Sequence, residues 1–277
     1  MSTTKPVKLN AIQSRVFPEK TDSFAYIEGK VVEAMAGQPD FILLPEMFAC
    51  PYRSDFFPVY AEKAGGKTWQ FLSELAQRHS VYLIGGTIPE AAEGKVYNTA
   101  FIFDRSGRQI GRHRKMHLFD VDVPGGISFH ESETLTPGND FTVVHTEFGK
   151  VGVMVCFDIR FPELSAIYKQ LGADIIFVPG AFNMTTGPAH WELLFRGRAM
   201  DNQVFMLGCA PARETGGVYT SWGHTMLTDP WGRVIQTLAE GEGTLSETVD
   251  LGEILPTMQG MPVNFAKRHD LYEIRIK

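Results

Sequence analysis

What most constrains this chain is a repeated order, in which an amphipathic helical pattern leads into a short, almost wholly apolar run. Residues 21–36, TDSFAYIEGKVVEAMA, put Phe24, Ile27, Val31 and Met35 on one helical face behind Thr21, Asp22 and Ser23 as capping candidates. PDFILLPEMF follows, apolar without alternation from Phe41 to Leu44. A run with no polar face reads as a strand buried on both sides. The order returns in TWQFLSELAQRHS (68–80) with VYLIGGTIP (81–89), and in PELSAIYKQLGA (162–173) with ADIIFVPGAF (173–182). Pro162 suits a first helical turn there, and Gly172 a stop. Three further pairs of runs meet at short turns: VYNTAFIF and RQIGRHRK around DRSG, FTVVHT and KVGVMV around EFG, HTMLTD and RVIQTL around PWG. These predict hairpins, so the class is α/β with a partly antiparallel sheet.

No linker, charge block or low-complexity segment divides residues 1–277, and 44% hydrophobic content supports a sizeable core, so one domain is expected. Residues 117–140, HLFDVDVPGGISFHESETLTPGND, lack a period. Loops beyond ~15 residues in a compact domain are usually functional or disordered, and the Phe, Ile and Leu content here predicts order. A net charge of -6 gives no support to a surface that tracks nucleic-acid phosphates. The start shows no apolar leader, and no run reaches the ~20 residues of a membrane span, which predicts a cytoplasmic protein with no membrane association. The sequon Asn183-Met184-Thr185 therefore carries little weight.

Cys50, Cys156 and Cys209 are too few and too far apart for a disulfide framework or a CxxC metal site, and reduced thiols are expected. His130-Glu131 lacks the second histidine of HExxH because position 134 is Thr134, and AGGKT fails as a phosphate loop at Ala61. No metal site is expected. Cys50 and Cys209 read as passive thiols, and Arg196 and Arg198 as residues that pair between helices or at an interface.

Three polar residues stand where apolar runs end: Glu46 after FILLP, Lys115 after QIGRHR, Cys156 after VGVMV. Singly, each has an ordinary reading, an inert buried thiol or a solvated strand end. Together they can do chemistry, because strand ends at one sheet edge bring distant side chains into one place. A thiol attacks as thiolate, and a reference pKa near ~8.5 leaves only a few per cent ionised at neutrality. Glu46 could serve as base and Lys115 as cation. An unperturbed glutamate lies about four units below the thiol, roughly 5–6 kcal/mol uphill, so Glu46 must be desolvated and the thiolate stabilised by Lys115.

LLPEMF, RKMHLFD and GVMVCFDIRFPE together resemble the nitrilase superfamily of carbon-nitrogen hydrolases, whose Glu, Lys and Cys match Glu46, Lys115 and Cys156 in order. ACPYRSDFFPVYAEK, YLIGGTIPE, YNTAFIF, HLFDVDVPG, ESETLTPG, PGAFNMTTGPAHWELLFRGRAMDNQ and WGHTMLTDPWG are similar to the omega-amidase branch, so the likeness spans nearly the whole chain. The resemblance implies an αββα sandwich, dimerisation through helices and no cofactor. It also implies that Glu46 deprotonates Cys156, that Lys115 and the Phe157 backbone N–H hold the oxyanion, and that Glu131, rather than neighbouring Glu133, bonds the lysine. The substrates it implies are terminal amides of small dicarboxylates, 2-oxoglutaramate and 2-oxosuccinamate, converted to the acid and ammonia through a thioester intermediate. Arg160 is then the leading donor to the distal carboxylate, against a structural bridge to Glu163; Tyr52, Phe119, Phe182 and Thr186 are wall candidates. Two alternatives stand beside this: deaminated-glutathione amidase, and a catalytically silent dimeric binding or scaffold protein.

Overall fold

A computed structural model describes residues 5–277. The reading of the start as leader-free falls in part on residues 1–4, outside the described residues. The first half of the chain forms β1 (Pro6–Gln13), α1 (Lys20–Met35), β2 (Phe41–Leu43), α2 (Phe57–Tyr60), α3 (Lys67–His79), β3 (Tyr82–Ile84), β4 (Ile88–Ala92), β5 (Lys95–Phe103) and β6 (Gln109–Arg114). The segment 117–140 is ordered, as its apolar content predicts, and carries a small hairpin of β7 (Asp120–Asp122) and β8 (Ser128–His130) followed by a 3-10 turn. Then come β9 (Val143–His145), β10 (Lys150–Val153), α4 (Pro162–Gln170), β11 (Ile175–Pro179), α5 (Gly187–Asn202), β12 (Phe205–Cys209), β13 (Met226–Thr228) and β14 (Val234–Thr237). β15 (Gly243–Asp250) and α6 (Ile254–Gly260) complete the described elements.

One sheet runs β15-β1-β2-β3-β5-β4 with β6 on the other edge of β5; the second runs β14-β13-β12-β11-β10-β9. The strand period of two decides what each face meets. Val7, Leu9, Phe41 and Leu43 point inward against Val151, Val153, Ile175 and Phe177 of the facing sheet. Their neighbours Ile12, Ile42, Leu83 and Phe101 point outward against Ile27 and Val31 of α1 and Leu72 and Leu75 of α3. Central strands are thus covered on both sides, which is why their sequences show no polar face. Each such side chain contributes roughly 1.5–3 kcal/mol by leaving water. On the far side of the second sheet, Gly152 admits the Tyr168 ring of α4 and Gly208 the Phe195 ring of α5, either of which a Cβ would strike. The result is the αββα sandwich expected, with mixed sheets.

The three hairpins form as antiparallel pairs β5–β6, β9–β10 and β13–β14. Two details differ from expectation. Helix α1 begins behind Glu19, whose carbonyl accepts from the N–H groups of Asp22 and Ser23, so Thr21, Asp22 and Ser23 lie in the first turn rather than capping it. The run 81–89 is two strands, broken at Gly85 and Gly86. Gly86 has φ +58, and a Cβ there would lie 2.1 Å from the Pro45 carbonyl oxygen. The break lets Thr87 Oγ1 accept from the Met47 N–H at 2.9 Å, which fixes the turn that carries Glu46.

Candidate active site

β6 is antiparallel to β5, and β5 to β3, so β6 runs in the same direction as β2 and β3. Chain segments leaving β2 and β6 therefore emerge at one edge of the first sheet, and the segments leaving β10 and β11 meet them from the second. Glu46, Lys115 and Glu131 are each 0% exposed and Cys156 only 4%. Lys115 Nζ lies 3.1 Å from Glu46 Oε1 and 2.8 Å from Glu131 Oε2. Glu131 is the buried partner and Glu133 the exposed neighbour.

The two carboxylates and the ammonium in this cluster all have partners, as burial demands, while Asn98 Oδ1 is buried without one. Glu46 Oε1 accepts from Asn98 Nδ2 at 2.8 Å and Oε2 from the Ala181 N–H at 2.7 Å. Glu131 accepts from the Tyr52 hydroxyl at 2.6 Å and from the Phe119 N–H at 2.7 Å. Asn98 also takes the Lys115 N–H on its own carbonyl, so one residue ties the lysine's backbone to the glutamate's carboxylate. Burial alone would pull the Lys115 pKa down, but the carboxylates of Glu131 and then Glu46 outweigh it and hold the ammonium well above its usual range. Burial raises Glu46, with Lys115 opposing.

Cys156 sits at φ +48, a left-handed conformation costly for any residue with a Cβ, at the point where β10 gives way to a 3-10 turn over Cys156–Arg160. That bend aims the side chain off the strand end. Gly180 allows the approach from β11: a Cβ there would stand 3.3 Å from the Cys156 Cα. Burial pushes the Cys156 thiol well up, Glu46 pushes it further, and Lys115 only partly opposes them. Lys115 is shared with two carboxylates, so its pull on the thiol is partial.

Asp158 joins the turn that carries Cys156 to the segment that carries Lys115. Its Oδ1 accepts from the Met116 N–H at 3.2 Å, the His117 N–H at 2.9 Å and His117 Nδ1 at 2.8 Å; Oδ2 accepts from His113 Nε2 at 2.9 Å and the Val155 N–H at 3.0 Å. Burial would raise this carboxyl, but His113 and His117 outweigh it and hold it far below the usual range. A depressed folded pKa gives stability that is present above the ordinary aspartate range and lost as pH falls through and below it. Asp158→Asn should destabilise the fold by ~3 kcal/mol, because the amide nitrogen cannot accept from these donors. Urea unfolding at neutral pH and near pH 4 checks this, with the deficit expected to shrink at the lower pH.

The remaining candidates divide. Phe119 is buried and supplies its N–H to Glu131, and its ring lies edge-on to Phe157, 5.3 Å between centroids. Phe157 is the second residue of the 3-10 turn, a position whose N–H has no acceptor within the turn. Tyr52 is more than a wall residue, since its hydroxyl joins the polar cluster. Phe182 stands under the Arg160 guanidinium, 4.9 Å from ring centre to Cζ. Thr186 is buried, and its hydroxyl donates to Asn183 Oδ1 at 3.3 Å in the turn that starts α5. Arg160 does not bridge to Glu163; its partner is His190, at 3.1 Å. Arg196 bonds the Gly232 carbonyl and Arg198 the carbonyls of Ile159 and Arg160. Burial takes Cys50 up to about 12.

A cavity of about 170 Å³ opens beside Glu46 between Tyr52, Cys50, Ala212, Tyr219 and Ser221. Tyr219 escaped the sequence reading: its hydroxyl bonds the Ala181 carbonyl at 2.6 Å and its ring lies 4.8 Å from that of Tyr52. It sits on a Gly-containing loop with no period, so no pattern marked it. Asn98 and Asp158 were inside quoted motifs, yet their roles depend on partners distant in sequence. Among the described residues no helix is long and apolar enough to cross a membrane.

The family model for carbon-nitrogen hydrolases matches residues 9–259. Omega-amidase NIT2 of Mus musculus is 46% identical and that of Homo sapiens 44% identical, each over 98% of both chains. The crystal structure of Saccharomyces cerevisiae Nit3, a member of branch 10 of the nitrilase superfamily, superposes with a TM-score of 0.88 at 37% identity, covering 97% of this chain and 98% of that one. With this much of the chain matched, in sequence and in fold, the protein belongs to the carbon-nitrogen hydrolase family of the nitrilase superfamily and is a hydrolase of carbon–nitrogen bonds.

Proposed function

We propose that the protein, acting as one domain, is a cysteine amidase of the omega-amidase type, taking small dicarboxylate monoamides such as 2-oxoglutaramate and 2-oxosuccinamate to the diacid and ammonia. The observation that carries this reading is the buried set of Glu46, Lys115 and Glu131 against a thiol that has no other base. Glu46 receives the Cys156 proton as sulfur bonds to the amide carbon, because a preformed thiolate is disfavoured in this dry site. The carbonyl oxygen becomes an oxyanion held by Lys115 Nζ and the Phe157 N–H; donors of this kind are worth roughly 3–4 kcal/mol. Glu46 returns the proton to the leaving nitrogen, the C–N bond breaks, and ammonia and a Cys156 thioester remain. Water then loses a proton to Glu46 as it adds to the thioester carbon. The S–C bond breaks, the proton returns to sulfur, and the acid leaves.

Glu131 and Tyr52 touch no reacting bond in this scheme. They hold Lys115 in place and protonated, which lets a buried cation persist opposite Glu46. Arg160 is the donor for the distal carboxylate, in keeping with its lack of an acid partner, and Phe182 supports its plane. The likeness to omega-amidase relatives over nearly the whole chain supports a short substrate over deaminated glutathione. A cytoplasmic homodimer is part of the same reading, by likeness to the family.

Ammonia release tests it. The purified enzyme should act on 2-oxoglutaramate and succinamate at least ~10-fold better, in kcat/KM, than on deaminated glutathione or a simple nitrile. Preference for deaminated glutathione would reassign the substrate within the family. Absence of turnover by folded, reduced protein on all four would favour a binding role.

A further inference from the structure

Arg160 closes the nucleophile's turn, and α5 holds it twice. Arg198 reaches its backbone, with Nε donating to the Ile159 carbonyl at 3.0 Å and Nη2 to the Arg160 carbonyl at 3.1 Å. His190, in the first turn of the same helix, holds the side chain, its Nδ1 3.1 Å from Arg160 Nη1. A guanidinium has only donors, so Nδ1 must accept, and His190 is the neutral tautomer with its proton on Nε2. Burial and then Arg160 itself lower the His190 pKa, which agrees with a neutral ring.

The rest of the guanidinium is unsatisfied. Among the described residues its Nε is buried with no hydrogen-bond partner, and burial lowers its pKa with only Cys156, and no Asp or Glu, opposing. Phe157 and Phe182 lie 5.4 and 4.9 Å from Cζ, so aromatic faces, not acceptors, flank it. A half-buried cation left with a bare donor is costly, and the cost is removed if an anion supplies the missing acceptor. A carboxylate is the small anion whose two oxygens match such a fork.

We infer that His190 is a positioning residue for substrate specificity: by accepting from Nη1 it fixes the Arg160 guanidinium so that the unpaired donors meet the distal carboxylate of a small monoamide. This rests on the omega-amidase reading and adds to it a residue that touches neither the substrate nor the reacting atoms. Among the described residues His190 is the side-chain acceptor on Arg160, and it sets which way the fork turns. Without it, the flexible side chain keeps its charge but loses its direction.

Succinamate and butyramide test this well, because they differ only by a carboxylate in place of a methyl group. Calorimetric binding is measured on Cys156→Ala protein, which cannot turn them over. Adding His190→Leu should weaken succinamate by ~10-fold and butyramide far less, since only a charge-assisted contact is disturbed. His190→Asn, whose Oδ1 can stand where Nδ1 stood, should restore most of the loss. A succinamate preference that survives His190→Leu would overturn the inference. Equal weakening of both ligands without rescue by Asn would do the same, as would equal affinity for both in the Cys156→Ala protein itself. Ammonia release by the unsubstituted enzyme reports on the amidase reading separately, so the two failures are distinguishable.

Discussion

Cys156→Ala should lower ammonia release from every amide substrate by on the order of 10⁴-fold or more while the protein stays folded. The size of the effect follows from the absence of a substitute. Cys50 borders the cavity beside Glu46, but its thiol is pushed up to about 12 and it lies in a turn with no paired base. Cys209 bonds the Ile12 carbonyl of β1 in the facing sheet. The fold should survive because the side chain lost is one sulfur atom, and the +48° φ is held by backbone contacts on both sides of the turn rather than by the thiol. Residual activity within ~10-fold of the original would remove Cys156 as nucleophile. Mass spectrometry of the unsubstituted enzyme with a slow amide gives an independent reading, as an acyl adduct on Cys156 is expected and its absence from the variant completes the case.

Lys115→Met should abolish turnover and, unlike the cysteine variant, destabilise the protein by about 3–5 kcal/mol. The reason is what remains. Glu46 and Glu131 face the lysine from either side, and methionine fills its space without its charge, leaving two buried carboxylates with no cation. The folded variant answers by retaining a proton on one of them, which raises that carboxyl above the ~4.3 of an unfolded glutamate. A raised folded pKa gives stability that is present below the unfolded value and lost as pH rises through the folded one. The deficit should therefore be greater near pH 8 than near pH 5. Denaturant unfolding across that range checks it, and a flat or reversed trend would mean that the lysine is not the charge that balances the site. Turnover of Lys115→Met at more than about one-tenth of the original would remove it from the oxyanion site.

These effects depend on how a dry site handles charge. Glu46, Lys115 and Glu131 sit together away from water, with Asn98, Tyr52 and the N–H groups of Ala181 and Phe119 as the dipoles that hold them. Such an arrangement is costly to assemble. Burial raises the Glu46 carboxyl and the Cys156 thiol alike, so in the proposed scheme the proton moves only as sulfur bonds to the amide carbon.

The sandwich was legible in the sequence because it rests on period. Runs such as FILL and IIFV have no polar face, so they had to be covered on both sides, and the helices beside them have one apolar face each. That Glu46, Lys115 and Cys156 converge was suggested too, since each ends a run and the structure gathers them at one sheet edge. What the sequence left open was anything set by partners across the two sheets. Glu131 and Glu133 have the same chemistry two positions apart, and only the packing of the 117–140 segment buries the first. Arg160 looked equally able to pair with Glu163, four atoms of flexible chain leaving both within reach, until α5 placed His190 against it. Asn98, Asp158 and Tyr219 show no pattern at all, because a hydrogen-bond partner brought from 40 residues away leaves no local trace. Local sequence determined which segments are helix and strand and which residues end them, since those depend on neighbours along the chain. The tertiary structure alone decided which charges meet, which are dry and which lack a partner, because those are properties of the space between the sheets.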